Sequence, residues 1–527
     1  MGIKTVAKQQ YKRPYLKTIK ILTPEFNIML PIISGILTVL IQPPLSLFPL
    51  AFITLVPLLA SLKQNRLYQN FLAGLLAGIV GYLGTVYWVV VAMNRYGGLD
   101  FISSVLIMLL LVLYMSFYTG VFCYSITFLE EKFYIPLYLS SPFVWVILEY
   151  IRGFLMTGFP WALLAYSQHN FLPFIQVVSI TGIYFISFIV VAFNCIFYYI
   201  WTKKKIPILY ILITIILFLS SIVYGYMRLK GDNNSLSGER VAVAVIQGNI
   251  SQDMKWDEHY KAKTVTKYYQ MTLDNGKGSS LVIWPETAIP FAINTARNIE
   301  RTLKSLTVSL DADLLFGTVH MENGDIFYNS AYLIDKEGRI SGIYNKVHLV
   351  PFGEYTPLVD YIPFLSKITA VGGGFAAGRT HMPIHSSFGD IGVLICYEGI
   401  FPGISLDTVK KGAQVLVNLT NDAWYDRTSA PYQHLSFYVF RAIETERYVI
   451  RAANTGISAI IDTRGRIRAE TGIFKDAVLK GDFLLSNSRT FYVRYGDWFI
   501  CVMVGGLIML VGIYFIFRNR YKNAQRP

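Results

Sequence analysis

Over the first 226 residues, nearly uniform apolar runs alternate with short polar breaks, the runs falling at about 28–41, 45–62, 71–93, 104–128, 134–151, 172–200 and 206–226, with one more at 498–517. A helix needs roughly 20 apolar residues to cross a bilayer, so the pattern predicts about eight spans. Pro43 and Pro44 divide the first pair, whose limits are the least sharply marked. Between residues 240 and 486 the pattern changes to short β-rich runs at 241–245, 281–284, 314–319, 331–334, 340–344, 391–395, 415–419 and 458–461. Helical periodicity separates them at 260–274, 295–310, 401–411 and 431–446. This predicts one α/β domain with a substantial core. No internal repeat and no low-complexity tract interrupts it.

Composition agrees with two architectures on one chain. The 527 residues are 54% hydrophobic with a mean hydropathy of +0.44, too apolar for an ordinary soluble enzyme. The 15% of charged residues falls below the roughly 25% of a soluble domain, and the deficit lies before residue 227 and after residue 497. The net charge of +14 forms no basic stripe of the kind that binds nucleic acid. Its Lys and Arg sit at the ends of apolar runs, as topology charges beside an anionic bilayer do.

Basic residues mark alternate loops: the N-terminus (Lys4, Lys8, Lys12, Arg13, Lys17, Lys20), Lys63 and Arg66, Lys132, Lys203 to Lys205, and Arg518, Arg520 and Lys522. The intervening short loops hold few, chiefly Arg95 and Arg152. Lys and Arg beside spans stay cytoplasmic, so both termini are expected inside and everything between the seventh and eighth spans outside, which in a bacterium is the periplasmic face of the inner membrane. No small-residue cleavage site follows the basic start, so an uncleaved membrane start is expected. The expected organisation is a cytoplasmic basic N-terminus (1–27), a seven-span membrane domain (28–227), an extracytoplasmic domain (228–490), a last span (497–517) and a cytoplasmic tail (518–527).

Chemistry concentrates in the middle domain. Of the 4 cysteines, Cys123, Cys195 and Cys501 lie in apolar runs, whereas Cys396 ends the run Gly392 to Ile395 and precedes Tyr397 and Glu398. A thiol at a strand end is well placed for a nucleophile, and equally compatible with an inert small hydrophobe. Two other strand exits carry ionisable groups: Glu286 follows Leu281–Trp284 and Pro285, and Lys346 follows Tyr344 and Asn345, with Glu354 eight residues on. Singly, each is an ordinary surface charge. Together they supply what acyl transfer through a thiol needs: a base for the S–H proton, a cation for thiolate and oxyanion, and the thiolate itself. No CxxC, Cys/His cluster or HExxH suggests a metal or a disulfide framework, and no cofactor is expected. In the membrane part, Glu149 and Arg152 stand three apart near a helix end, as a structural ion pair or a substrate contact. Gly158 to Trp161 follow as a turn with an aromatic expected at the lipid interface. Residues 357–375, apolar and then glycine-rich, are a packed loop or a mobile arm dipping into the outer leaflet.

Glu286 in WPET, Lys346 in NKVHLVPFGEY and Cys396 in ICYEG resemble the Glu-Lys-Cys triad of the nitrilase superfamily. The multi-span N-terminal part resembles that of the apolipoprotein N-acyltransferases, and the likeness also includes Gln247 to Asn249 with Trp256 in the middle domain, Trp145, Glu149 and Arg152 in the membrane part, and Gly158 to Trp161. The likeness covers nearly the whole chain. It implies an αββα sandwich for the middle domain and a two-step acyl exchange. Cys396, deprotonated by Glu286, would take a fatty acyl chain from a membrane phospholipid. Lys346 and a backbone N–H near Tyr397 would hold the oxyanion, and the thioester would pass to the α-amine of a diacylglyceryl-cysteine at the start of an apolipoprotein. The resemblance further implies that Glu354 positions Lys346 or assists as base, Trp256 lines the lipid entry, and Tyr397 and Glu398 shape the pocket. The competing expectations are a membrane-anchored amidase using the same triad on a small amide, and a transporter or scaffold with a dead outer domain.

Overall fold

A computed structural model describes residues 27–231, 240–255, 258–355 and 374–524. Among them five helices are long and apolar enough to cross a membrane: Leu67–Val86, Phe101–Phe133, Tyr184–Trp201, Ile208–Lys230 and Trp498–Ile516. Three of the eight expected runs are different in kind. Residues Met29–Ile41 make a helix of only 13 residues, and the second run is a 3-10 turn, Phe48–Phe52, followed by a short helix, Val56–Ser61. The fifth is the 16-residue helix Leu137–Arg152. The run at 172–200 starts late: Leu172–Ile175 and Val178–Thr181 are single turns, and Gly182, at φ 71, breaks the chain before Tyr184. Pro173 and Gly182 are the breakers there, which a count of apolar residues does not register.

Small residues let these helices close on one another. A Cβ on Gly78 would stand 2.8 Å from Ser116 Cα, and one on Gly35 2.6 Å from Val80 Cβ. Gly74 faces Thr119 and Cys123 while Gly78 faces Ser116, so helices 67–86 and 101–133 run antiparallel. Gly35 faces Ala77 and Val80 while Thr38 meets Gly81, so helices 29–41 and 67–86 run parallel. The broken segment 48–61 therefore returns the chain from one end of the bundle to the other. At one end Phe133 meets Tyr514 with ring centroids 5.3 Å apart, and the Asn65 backbone N–H donates to Glu131. At the other, Trp498 Nε1 donates to the Ile180 carbonyl at 2.8 Å, and the sheet domain is attached there. Lys63, Lys132 and Lys203 to Lys205 thus lie at the end remote from that domain.

Among the described residues thirteen strands form two sheets: β1 Val241–Gln247, β2 Leu281–Ile283, β3 Ile289–Ala292, β4 Asp313–Glu322, β5 Ile326–Ile334, β6 Ile340–Asn345, β7 Ile384–His385, β8 Asp390–Ile395, β9 Val415–Thr420, β10 Val449–Ala453, β11 Ala459–Ile461, β12 Ile467–Glu470 and β13 Ala477–Phe483. One sheet has the order β13-β1-β2-β4-β5-β6, with β3 beside β4, and the other β12-β11-β10-β9-β8-β7. Alternation decides the layers. Val243, Val245, Ile283 and Leu315 from the first sheet pack against Val393, Ile395, Val417 and Ile450 from the second. The opposite faces carry helices: Ala244, Val282 and Phe316 pack on Tyr268, Leu303 and Leu306, and Leu394, Leu416 and Val449 on Leu406, Leu435 and Tyr438. The result is a four-layer αββα sandwich.

The helix Ala430–Thr445 buries every residue except Tyr432, because its second face seats on the helical part. Tyr166 and Phe437 have ring centroids 4.3 Å apart, and Trp161 and Phe437 4.9 Å. Trp161 Nε1 donates to Gln433 Oε1 at 2.7 Å. Trp161 is only 1% exposed, so the expected lipid-facing aromatic is instead a buried strut between the two halves. The expected ion pair also differs, since among the described residues none joins Glu149 to Arg152. Glu149 Oε1 accepts from the Leu164 N–H at 2.7 Å, while Arg152 donates to the Tyr82 hydroxyl at 2.5 Å and the Trp161 carbonyl at 3.2 Å. Both polar groups thus reach the 158–166 segment, Glu149 through the Leu164 N–H and Arg152 through the Trp161 carbonyl.

Candidate active site

Strand ends in the two facing sheets converge on one place. Glu286 leaves β2 after Trp284 and Pro285, Lys346 leaves β6, Cys396 leaves β8 and Asn421 leaves β9. Cys396 takes φ 52, a left-handed conformation uncommon for a residue with a Cβ, and opens a 3-10 turn running to Ile400. Glu398 stabilises that turn. Its Oε2 accepts from the Ile395 N–H at 2.7 Å, and its Oε1 accepts from the Tyr344 hydroxyl at 2.9 Å and the backbone N–H groups of Val347 and His348 at 2.8 and 3.1 Å. One buried carboxylate thereby fixes the cysteine turn to the lysine loop.

The charged groups are packed with few open valences. Lys346, 1% exposed, places Nζ 2.8 Å from Glu354 Oε2 and 3.8 Å from Glu286 Oε1. Asn329 Nδ2 donates to Oε1 of both glutamates, at 2.8 Å to Glu286 and 2.7 Å to Glu354. Glu286 Oε2 accepts from the Asn421 N–H at 2.9 Å, and Glu354 Oε2 from the Val350 N–H at 2.8 Å. The Glu286 carbonyl accepts from Lys255 Nζ, also buried, at 2.8 Å.

Burial is the first influence on Cys396, Lys346, Lys255 and His348. It pushes the Cys396 thiol up, as does the Glu286 charge, while Lys346 and a hydrogen bond with Thr420 pull it down. The thiol is therefore not a free thiolate, and its proton must be taken by a base. Burial would lower Lys346, but Glu354 and Glu286 outweigh it and hold the ammonium above its ordinary range. Lys255 is lowered by burial to about 8, against the opposing pull of Glu286 and Cys396. His348 is lowered to about 4 by burial and by the Lys346 charge. What the arrangement can do is hold an ammonium and carboxylates beside a largely buried thiol.

The structure brings together Glu286, Lys346, Glu354, Cys396 and Glu398. Tyr397 is placed on the other side of the turn, where its hydroxyl donates to the Gly158 carbonyl at 3.0 Å and its ring stacks on His348. Trp256 lies outside the described residues, as does the stretch 357–373 of the loop expected at 357–375. Sequence reading missed Asn329, Asn421 and Lys255. Asn329 lies mid-strand in β5, where an inward polar residue in an otherwise apolar run was the available signal. Lys255 stands beside Trp256, in a short polar segment that resembles solvent-exposed helix.

Residues 242–491 match the family model "Carbon-nitrogen hydrolase", so the sandwich with its thiol, lysine and glutamates is of that class. Residues 34–196 match the model "Apolipoprotein N-acyltransferase N-terminal domain". The chain is 38% identical to the apolipoprotein N-acyltransferase of Geobacter metallireducens over 93% of this chain and 96% of that one. It is 31% identical to that of Methylococcus capsulatus over 95% and 96%. The chain belongs to the apolipoprotein N-acyltransferase family. Among solved structures, Saccharomyces cerevisiae Nit3, a nitrilase-superfamily protein, is 19% identical over 48% of this chain and 93% of that chain at a TM-score of 0.38, a likeness too slight to add to the strand pairing above.

Proposed function

We propose that this membrane protein N-acylates lipoproteins through a thioester on Cys396, and that it does so at the periplasmic face of a bacterial inner membrane. Glu286 takes the S–H proton as the sulfur attacks the ester carbonyl of a phospholipid, and the oxyanion forms beside the Lys346 ammonium and the Tyr397 backbone N–H. Collapse breaks the acyl C–O bond. The leaving lysophospholipid alkoxide takes the proton from Glu286, and the acyl chain remains on sulfur. The α-amine of a diacylglyceryl-cysteine then attacks the thioester, giving a proton to Glu286. The C–S bond breaks, and the thiolate recovers that proton. A thioester suits this second step, since amines attack it more readily than an oxygen ester. Glu354 supports the reaction by holding Lys346.

The observation that carries this reading is the buried Lys346 set between Glu286 and Glu354, close to the Cys396 thiol. The amidase alternative shares that triad. It is disfavoured because the cysteine turn is tied directly to the helical part through Tyr397 and Gly158, a connection that serves a donor arriving from the bilayer and is superfluous for a small soluble amide. The test is intact-mass measurement of the purified protein incubated with phospholipid alone. One fatty-acyl increment, removable by hydroxylamine and absent from Cys396→Ala, is expected. No increment, or one on Cys123, Cys195 or Cys501, overturns the proposal.

A further inference from the structure

Four of the five residues of the turn Cys396–Ile400 are held by hydrogen bonds from three different parts of the molecule. Glu398 binds the lysine loop, and Tyr397 binds Gly158 of the helical part. The Ile400 carbonyl accepts from Arg441 at 3.2 Å and from the Tyr166 hydroxyl at 3.4 Å. At the nucleophile itself, the Tyr438 hydroxyl donates to the Cys396 carbonyl at 3.1 Å. Gly399 is required by the same contact, because a Cβ there would collide with the Tyr438 ring and hydroxyl.

Tyr438 is fully buried, and beside its hydroxyl stand further polar groups. His434 Nε2 lies 3.3 Å from it, and His434 Nδ1 lies 3.1 Å from Asp422 Oδ1. Asp422 also accepts from Arg451 and from the Thr420 hydroxyl. The helix that carries His434 and Tyr438 is the one seated on the membrane part, where Gln433 and Phe437, interleaved with them, contact Trp161. A left-handed residue persists only where its surroundings over-determine it. Cys396 has that conformation, and its carbonyl is fixed by a tyrosine on a helix that cannot shift without lifting off Trp161.

We propose that Tyr438 is a positioning residue for acyl transfer: its hydroxyl fixes the Cys396 carbonyl and hence the direction of the thiol, and it ties that direction to the seating of the helix on the membrane part. This rests on the thioester reading above. Tyr438 touches no reacting atom, so it alters how often the sulfur is correctly aimed and not how phospholipid binds or which group titrates.

The experiment compares Tyr438→Phe, which keeps the ring, with Tyr438→Leu, which removes it, on protein recovered monodisperse in detergent. The readouts are single-turnover acylation by phospholipid, KM, and the pH profile. Loss of one fixing hydrogen bond should slow acylation by Tyr438→Phe about tenfold, with KM and the acid limb of the profile unmoved, and Tyr438→Leu should be at least as slow. A Tyr438→Phe enzyme that acylates at the wild-type rate while Tyr438→Leu alone is slow overturns the proposal and makes Tyr438 a packing residue. A wild-type enzyme that is acylated on another thiol, or not at all, refutes the thioester reading instead.

Discussion

Asn329 holds Glu286 by a 2.8 Å hydrogen bond from Nδ2 to Oε1, and the same amide nitrogen also serves Glu354. Two carboxylates thus share one neutral donor and one cation, Lys346. Asn329→Asp keeps the shape and adds a third carboxylate, which disfavours the charged form of its neighbours. The expected outcome is a fall in activity at neutral pH of about a hundredfold, with the acid limb of the pH–rate profile moved upward because Glu286 must ionise against a new negative charge. A limb that stays in place would remove Glu286 from the role of base.

Lys346→Arg tests the cation by shape. The lysine is buried and compact, with Nζ 2.8 Å from Glu354, and a planar guanidinium in that space cannot point one donor at both carboxylate and oxyanion. Activity should fall at least about a hundredfold, since loss of one oxyanion donor costs on the order of 3 kcal/mol. Intact-mass measurement should show slow acylation and not a stalled acyl-enzyme. Near-normal acylation would mean that Lys346 only neutralises Glu354.

The proposed triad was legible because its members lie at strand exits: β2 and β8 are apolar runs with sharp ends, and the more polar β6 is followed at once by Lys346. Strand β10 was not, because Arg451 stands in its middle. A buried arginine looks like a loop residue until its partner, Asp422, is found 29 positions away. Trp161 was misplaced for a related reason. An aromatic beside a span usually faces lipid, and nothing local reveals that Gln433, 272 positions on, accepts its N–H. Asn329 carries no signal except polarity, since the two glutamates it joins come from different loops. Local pattern reveals elements and their ends, whereas long-range polar pairing becomes visible only once the sheets are assembled.

The orientation proposed for the bundle has a direct check. Lys277 is exposed on the sheet domain and Lys204 at the remote end of the helices. A cysteine placed at 277 should react with a membrane-impermeant thiol reagent in cells whose outer barrier is permeable and whose inner membrane is intact, and one at 204 should react only after lysis. The reverse pattern would put the catalytic domain in the cytoplasm and end the lipoprotein reading.

Lys255 gives the last prediction, in stability. Its ammonium is buried and donates to the Glu286 carbonyl, and its pKa is lowered to about 8 from 10.5. Between those values the unfolded chain holds a proton that the folded chain has released, so unfolding free energy rises with pH across that window. Below about pH 8 the folded protein carries the full cost of a buried charge, and the rise from there to pH 10.5 is on the order of 3 kcal/mol. Lys255→Met has no such proton. The thermal midpoint of the wild type should therefore gain on that of Lys255→Met as the pH is raised from 7 to 10, with the comparison made at fixed detergent and salt. If the gap between the two midpoints stays constant over that range, Lys255 is not titrating in the folded protein, and the desolvated environment assigned to it is wrong.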